Sequence, residues 1–127
     1  MQHEPHLSAP EKCISEARDA DEHAHNLTNW QQEYDQLSDG SFYGRIDEVT
    51  LEGLQVFKEH TNRSLRQQCN VWADSIWLGI PARPSDSRIN GLVIGNDQLM
   101  CRPGSCDFEL MTPEKYDIYG IVVKQDV

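Results

Sequence analysis

The chain has 127 residues, 38% hydrophobic and 25% charged, with 21 acidic and 11 basic side chains and a net charge of −10. That length suits one domain with its own core and leaves no room for two. The composition is globular, and so acidic a surface argues against direct contact with a phosphate backbone, which rewards Lys and Arg.

No apolar run approaches the roughly 20 residues needed to span a bilayer. The start, MQHEPHLSAPEKC, lacks the basic beginning and apolar centre of a signal peptide. A soluble, cytoplasmic protein is expected. Cys13, Cys69, Cys101 and Cys106 show neither CxxC nor zinc-finger spacing, so no disulfide is expected. Cys69 and Cys101 fall in strand-like segments and read as small buried hydrophobes.

In chain order, residues 1–25 carry six acids, two bases and two prolines with hardly an apolar side chain. Residues 1–22 are therefore expected to be a polar, disordered tail. Thr28 then reads as an N-cap with Gln31 three residues on. Trp30, Tyr34 and Leu37 follow at i, i+4 and i+7, and Gly40 reads as the stop. One short N-terminal helix is predicted there.

Beyond Gly40 the signals are β. Residues 45–51 form a strand before Glu52-Gly53 turns the chain. In residues 54–72, LQVFKEHTNRSLRQQCNVW, a polar tip at Thr61, Asn62 and Arg63 separates two apolar-containing runs. Leu65, Cys69 and Val71 share one face at period 2, so the stretch reads as a hairpin rather than a helix. Ile76, Leu78 and Ile80 alternate up to Pro81. Residues 81–90 read as a loop, and residues 91–94 and 98–102 flank Gly95-Asn96-Asp97 as a second hairpin. Residues 107–111 are a strand, and residues 117–124 form a nearly continuous apolar one, expected to be buried on both faces. Such spacing indicates a sandwich or barrel, with residues 41–124 forming one antiparallel barrel and the helix outside it or across an open end.

Little catalytic chemistry is visible. His23 and His25 have the HxH spacing that places two rings on one side of a strand, but no third ligand follows in any plausible strand, so no metal site is expected. There is no GxSxG, no phosphate-binding glycine loop and no Cys near a His in a local signature. Trp72 and Trp77 read more readily as core than as pocket.

Residues 95–104, GNDQLMCRPG, resemble the second half of a cupin motif without its histidine. More broadly, NWQQEYDQL (29–37), LQVFKEHTNRSLRQ (54–67), Trp72, GIP (79–81) and RPGSCDFELMTP (102–113) resemble the N-terminal sensor domain of AraC-family transcriptional regulators. The likeness is nearest to the ethanolamine-utilisation regulators and covers residues 23–127. It implies a mainly β fold, a cupin-like antiparallel β-barrel of jelly-roll type. It also implies a non-enzymatic, ligand-sensing regulatory domain with a small-molecule inducer and no cofactor. In such regulators a C-terminal pair of helix-turn-helix units binds DNA and the full-length protein is a homodimer. No such pair occurs in this chain, which is expected to be an excised domain. The expected ligand-binding residues are Phe57 and Trp77, each one position out of phase with the aliphatics beside it, so that aromatics line one face of each strand. The rival reading is a small metal-dependent cupin enzyme, an oxygenase or isomerase; a third is a dimerisation scaffold without a pocket.

Overall fold

A computed structural model describes residues 9–95 and 97–125. In chain order these form β1 (Glu11–Ala17), α1 (Ala20–Ala24), β2 (Gln31–Gln36), β3 (Gly44–Leu51), β4 (Leu54–Thr61), β5 (Leu65–Asn70), β6 (Ser75–Pro81), β7 (Arg88–Ile89), β8 (Leu92–Val93), β9 (Met100–Pro103), β10 (Phe108–Thr112) and β11 (Tyr116–Lys124). The protein is mainly β. One sheet has the order β1-β3-β4-β11-β6-β9 and the other β2-β5-β10-β7-β8. Every pairing is antiparallel. Among the described residues no hydrogen-bonded ladder joins the two sheets, an arrangement consistent with a β-sandwich rather than the expected closed barrel.

Alternation sets the faces. On β4, Gln55, Phe57, Glu59 and Thr61 point inward while Val56 and Lys58 point out. On β6 the inward residues are Ser75, Trp77 and Gly79, and on β5 they are Leu65, Gln67 and Cys69. One apolar cluster, including Trp30, Phe57, Trp77, Phe108, Ile118 and Val122, fills most of the interior. A smaller one, with Ala20, Ala24, Tyr34, Phe42 and Leu65, docks α1 on the sandwich. Asp19 caps α1 by accepting from the Asp21 backbone N–H at 3.0 Å.

Two glycines permit the aromatic centre. Gly79 and Gly120 are register partners on β6 and β11. A Cβ on Gly79 would run into the Trp77 ring, and one on Gly120 into the Phe57 ring. Bare backbone lets both rings lie against the sheet.

Several expectations are corrected. The predicted helix around Trp30 is strand β2, with Gln32 and Tyr34 inward. A spacing of four fits period 2 as well as 3.6, and Leu37, which fits only the helix, ends 45% exposed. The one helix among the described residues lies earlier, at Ala20–Ala24. The supposed tail contains β1 and most of α1; residues 1–8 lie outside the described residues. The strands of residues 54–72 exist, but β4 belongs to one sheet and β5 to the other, so residues 62–64 carry the chain across the sandwich instead of closing a hairpin. Likewise β8 and β9 lie in different sheets. The tight hairpin in that region is β7–β8, turned by Asn90 and Gly91 with φ of 47° and 81°, the pair of positive values a two-residue type I′ turn needs. β11 lies between β4 and β6, yet only one of its faces is buried, with Tyr119 and Val123 on the other.

Candidate functional site

Polar side chains that point inward gather in two networks, on either side of Phe57 along β4. The first centres on Gln55, which is 3% exposed. Its Oε1 accepts from Trp30 Nε1 at 3.0 Å and from Trp72 Nε1 at 2.9 Å. Its Nε2 donates to Glu48 Oε2 at 2.8 Å and to the Thr28 carbonyl at 3.0 Å. Both lone pairs and both hydrogens of the amide are thus used, so its orientation is fixed. Glu48, itself buried, also accepts from the Thr28 N–H at 3.3 Å.

Gln55 and Trp72 form part of the wall of a cleft of about 300 Å³ at this end of the sandwich. Leu51 and Leu54, at the β3–β4 turn, add apolar surface, and exposed Asn29 and Lys124 stand at its rim. Asn29 holds a φ of 64°. The cleft therefore offers an indole, aliphatic walls and a single ammonium group. A larger, open groove over Trp30, Gln31, Glu33, Gln68, Cys69 and Asn70 has no aliphatic side chain in its wall.

The second network is sealed. The His23 imidazole donates from Nε2 to Glu59 Oε2 at 2.7 Å, and the Tyr34 hydroxyl donates to the same oxygen at 2.8 Å. His23 is 0% exposed and lies over Gly44, where a Cβ would strike the ring. Burial, with Glu59 beside it, holds the Tyr34 hydroxyl well above its ordinary 10.0, so it stays a donor. This carboxylate–imidazole pair resembles acid/base machinery, yet no substrate can reach it. It ties α1 to β4. Nearby, His23 Nδ1, Thr61 Oγ1, Gln67 Oε1 and Tyr116 OH have no hydrogen-bond partner within the protein.

The buried phenols make stability depend on alkaline pH. Burial pushes the Tyr116 hydroxyl from 10.0 up to about 12. Above pH 10 the unfolded chain binds fewer protons than the native one, so stability falls as pH rises. The contribution is fully present below pH 10 and is lost as pH climbs through about 12. For Tyr116 it amounts to roughly 2–3 kcal/mol at most. Urea midpoints should fall between pH 9.5 and 11.5, and Tyr116→Phe should flatten that fall; a midpoint constant over this range would contradict the assignment.

Of the expected ligand-binding residues, Phe57 and Trp77 are 3% and 1% exposed. Both point between the sheets. Trp30 stands edge-on to Phe57 at 5.6 Å and to Trp77 at 5.7 Å, while Trp77 stacks on Phe108 at 5.1 Å. The structure brings the pair together as core, and neither lines the Trp72 cleft. His23 and His25 are not on one side of a strand. They fall in and just after α1, one buried and the other exposed with Nδ1 2.6 Å from the Asp21 carbonyl. Among the described residues no three His, Cys, Asp or Glu side chains converge as a metal site. All four cysteines are free; Cys69 is buried, whereas Cys101, expected inside, is exposed on edge strand β9. No helix among the described residues is long and apolar enough to cross a membrane.

Sequence reasoning missed Gln55, Glu48 and Lys124. The available signal was the run Gln55, Phe57, Glu59, Thr61 at period 2: a face expected to turn Phe57 inward turns Gln55 inward with it. No protein-family model matches the chain, and no solved structure matches it.

Proposed function

We propose that this chain is a ligand-sensing regulatory domain of an AraC-type transcription factor, and that it takes a small molecule with an apolar body and an anionic group in the Trp72 cleft. The observation that carries this reading is the shared acceptor: Trp72 at the cleft and Trp30 in the core donate to the same Gln55 oxygen. A ligand that moves Trp72 changes the bond on which Trp30 depends, and Trp30 touches Phe57, Trp77 and Phe108. Occupancy is thereby transmitted to the packing between the sheets, which is what a sensor requires. The two-sheet architecture supports a cupin-like, jelly-roll arrangement. The domain works without catalysis or cofactor, in the cytoplasm of a homodimeric regulator. Its DNA contacts belong to helix-turn-helix units outside these sheets, consistent with a charge of −10.

Lys124 sets the ligand class. An ammonium beside aliphatic and indole surface suits a small carboxylate. Titration with straight-chain carboxylates from acetate to octanoate, and with benzoate, should give saturable changes in tryptophan emission and a raised melting temperature. Lys124→Glu should weaken the best of these by about tenfold, or 1.4 kcal/mol. If none binds below millimolar concentration, or if the charge reversal leaves affinity unchanged, the cleft assignment is wrong.

A further inference from the structure

We propose that the cleft between Arg45, Lys58 and His60, on the outer face of the six-stranded sheet, binds the phosphoryl group of a small phosphate ester.

Alternation turns Arg45 and Asp47 of β3, Lys58 and His60 of β4 and Asp117 of β11 outward, where they line a cleft of about 260 Å³. Register brings them together. Arg45, His60 and Asp117 lie side by side on three adjacent strands, and Asp47 and Lys58 are neighbours in the next row. Each carboxylate is already committed to a cation or a ring nitrogen. Asp47 accepts from Arg45 Nε at 2.7 Å and from Nη2 at 3.4 Å. Asp117 lies 2.9 Å from His60 Nδ1 and 3.8 Å from Arg83 Nη2. The bond from Arg45, with the charges of Lys12 and Lys58, holds the Asp47 carboxyl below its ordinary 3.8. The groups left for a ligand are Arg45 Nη1, the Lys58 ammonium and His60 Nε2, none of which has a hydrogen-bond partner among the described residues.

Charge selects an anion. The Tyr43 ring lies 6.0 Å from His60, with Arg18 4.8 Å over it and Glu16 accepting from its hydroxyl at 2.6 Å. Lys12, Arg18, Arg45, Lys58 and Arg83 therefore stand around this cleft with Glu16, Asp47 and Asp117. That is five of the chain's 11 basic side chains but three of its 21 acidic ones, a local surplus of cations on a molecule of net charge −10. Nucleic acid or an anionic membrane needs such a surplus spread over a wide face. Here the next row along the sheet, Val49, Val56 and Ile121, is apolar, so the occupant is a single compact anion.

Spacing selects its shape. Side chains on neighbouring strands start about 4.8 Å apart, and those two residues apart on β4 about 6.6 Å, so long ones close around one tetrahedral group. A phosphate monoester presents three terminal oxygens, one for each of the three groups. Arg45 and Lys58 donate to it. The ester releases its second proton at about pH 6, so it can accept from His60 Nε2 or donate to it. Its organic body has a surface to lie on, because Tyr119 and Ile80 follow Lys58 in the same row and are 45% and 41% exposed. The Trp72 cleft lies toward the other end of β4, with Gln55 about 17 Å along the strand from His60, so the two sites are separate.

Calorimetric titration of this chain with phenyl phosphate and with inorganic phosphate, at about pH 7.5 so that the ester is a dianion and at fixed ionic strength, tests the proposal. Phenyl phosphate should bind saturably and more tightly than inorganic phosphate, which has no organic body. Lys58→Met should weaken it about tenfold, the loss of one charge-assisted hydrogen bond, and Lys58→Arg should retain it. Lys58 is exposed, so both variants should keep the native melting temperature. Lys124→Glu, at the Trp72 cleft, should leave phenyl phosphate binding unchanged. The proposal is overturned if phenyl phosphate shows no saturable binding below about 10 mM, or if inorganic phosphate binds as tightly. It is equally overturned by an affinity that Lys58→Met leaves intact or that Lys124→Glu lowers as much. Vesicles containing phosphatidic acid carry the same phosphoryl group on a membrane. If the chain sediments with them through Lys58 but ignores phenyl phosphate, the occupant is a lipid surface and the small-ester assignment is wrong.

Discussion

Trp77→Ala is expected to cost about 3–5 kcal/mol, a large part of the 5–15 kcal/mol that holds a typical domain together. The ring is 1% exposed and touches Trp30 edge-on and Phe108 face-on. Its removal leaves a gap that Gly79, with no side chain, does nothing to fill. Both aromatic geometries disappear with it, and each is worth about 0.5–1.5 kcal/mol beyond burial. Urea unfolding at neutral pH measures the loss. A cost below 1 kcal/mol would show that Trp77 is a tolerant pocket wall and restore the expectation from sequence. Trp72→Phe serves as the contrast: it leaves the stacked centre alone and should perturb ligand response more than stability.

A comparable loss, about 3–5 kcal/mol, is expected for Glu59→Ala, because breaking a buried pair strands its partners. Glu59 is the acceptor for both His23 and Tyr34, and neither donor can turn toward water. The contrast is the combined replacement His23→Leu, Tyr34→Phe and Glu59→Leu, which removes donors and acceptor together. It should lie within about 1.5 kcal/mol of the native protein, since apolar residues of similar volume often substitute for a buried polar set. Glu59→Ala should also free α1, read as faster amide exchange across Ala20–Ala24 than in β4. If Glu59→Ala is nearly neutral, His23 does not anchor the helix.

Most strands could be read from sequence because half-buried strands advertise themselves. The segments that became β3, β4, β5, β6, β10 and β11 alternate or run apolar, and Glu52-Gly53 announced its turn. β1 could not be read, because an edge strand with most side chains exposed carries no hydrophobic pattern; only its ladder to β3 defines it. Trp30 and Tyr34 misled because their spacing serves two periods. Whether residues 62–64 close a hairpin or cross the sandwich is decided by which sheet buries Leu65 and Gln67, a tertiary fact absent from a local window. The same limit hid the cleft. Gln55 looks like a surface amide until its register places two indoles and a carboxylate around it.

The position of β11 governs the order in which this molecule can be assembled. It is the last described strand along the chain but lies at the middle of its sheet, with β1, β3 and β4 on one side and β6 and β9 on the other. As the chain emerges from a ribosome, the two halves of that sheet have no common ladder until Tyr116–Lys124 is available. Val122, which is 0% exposed, and the floor beneath Phe57 arrive with the same strand. Pairings this distant in sequence close slowly, on the millisecond-to-second scale. Until then, β4 and β6 present open edges that other nascent chains can pair with.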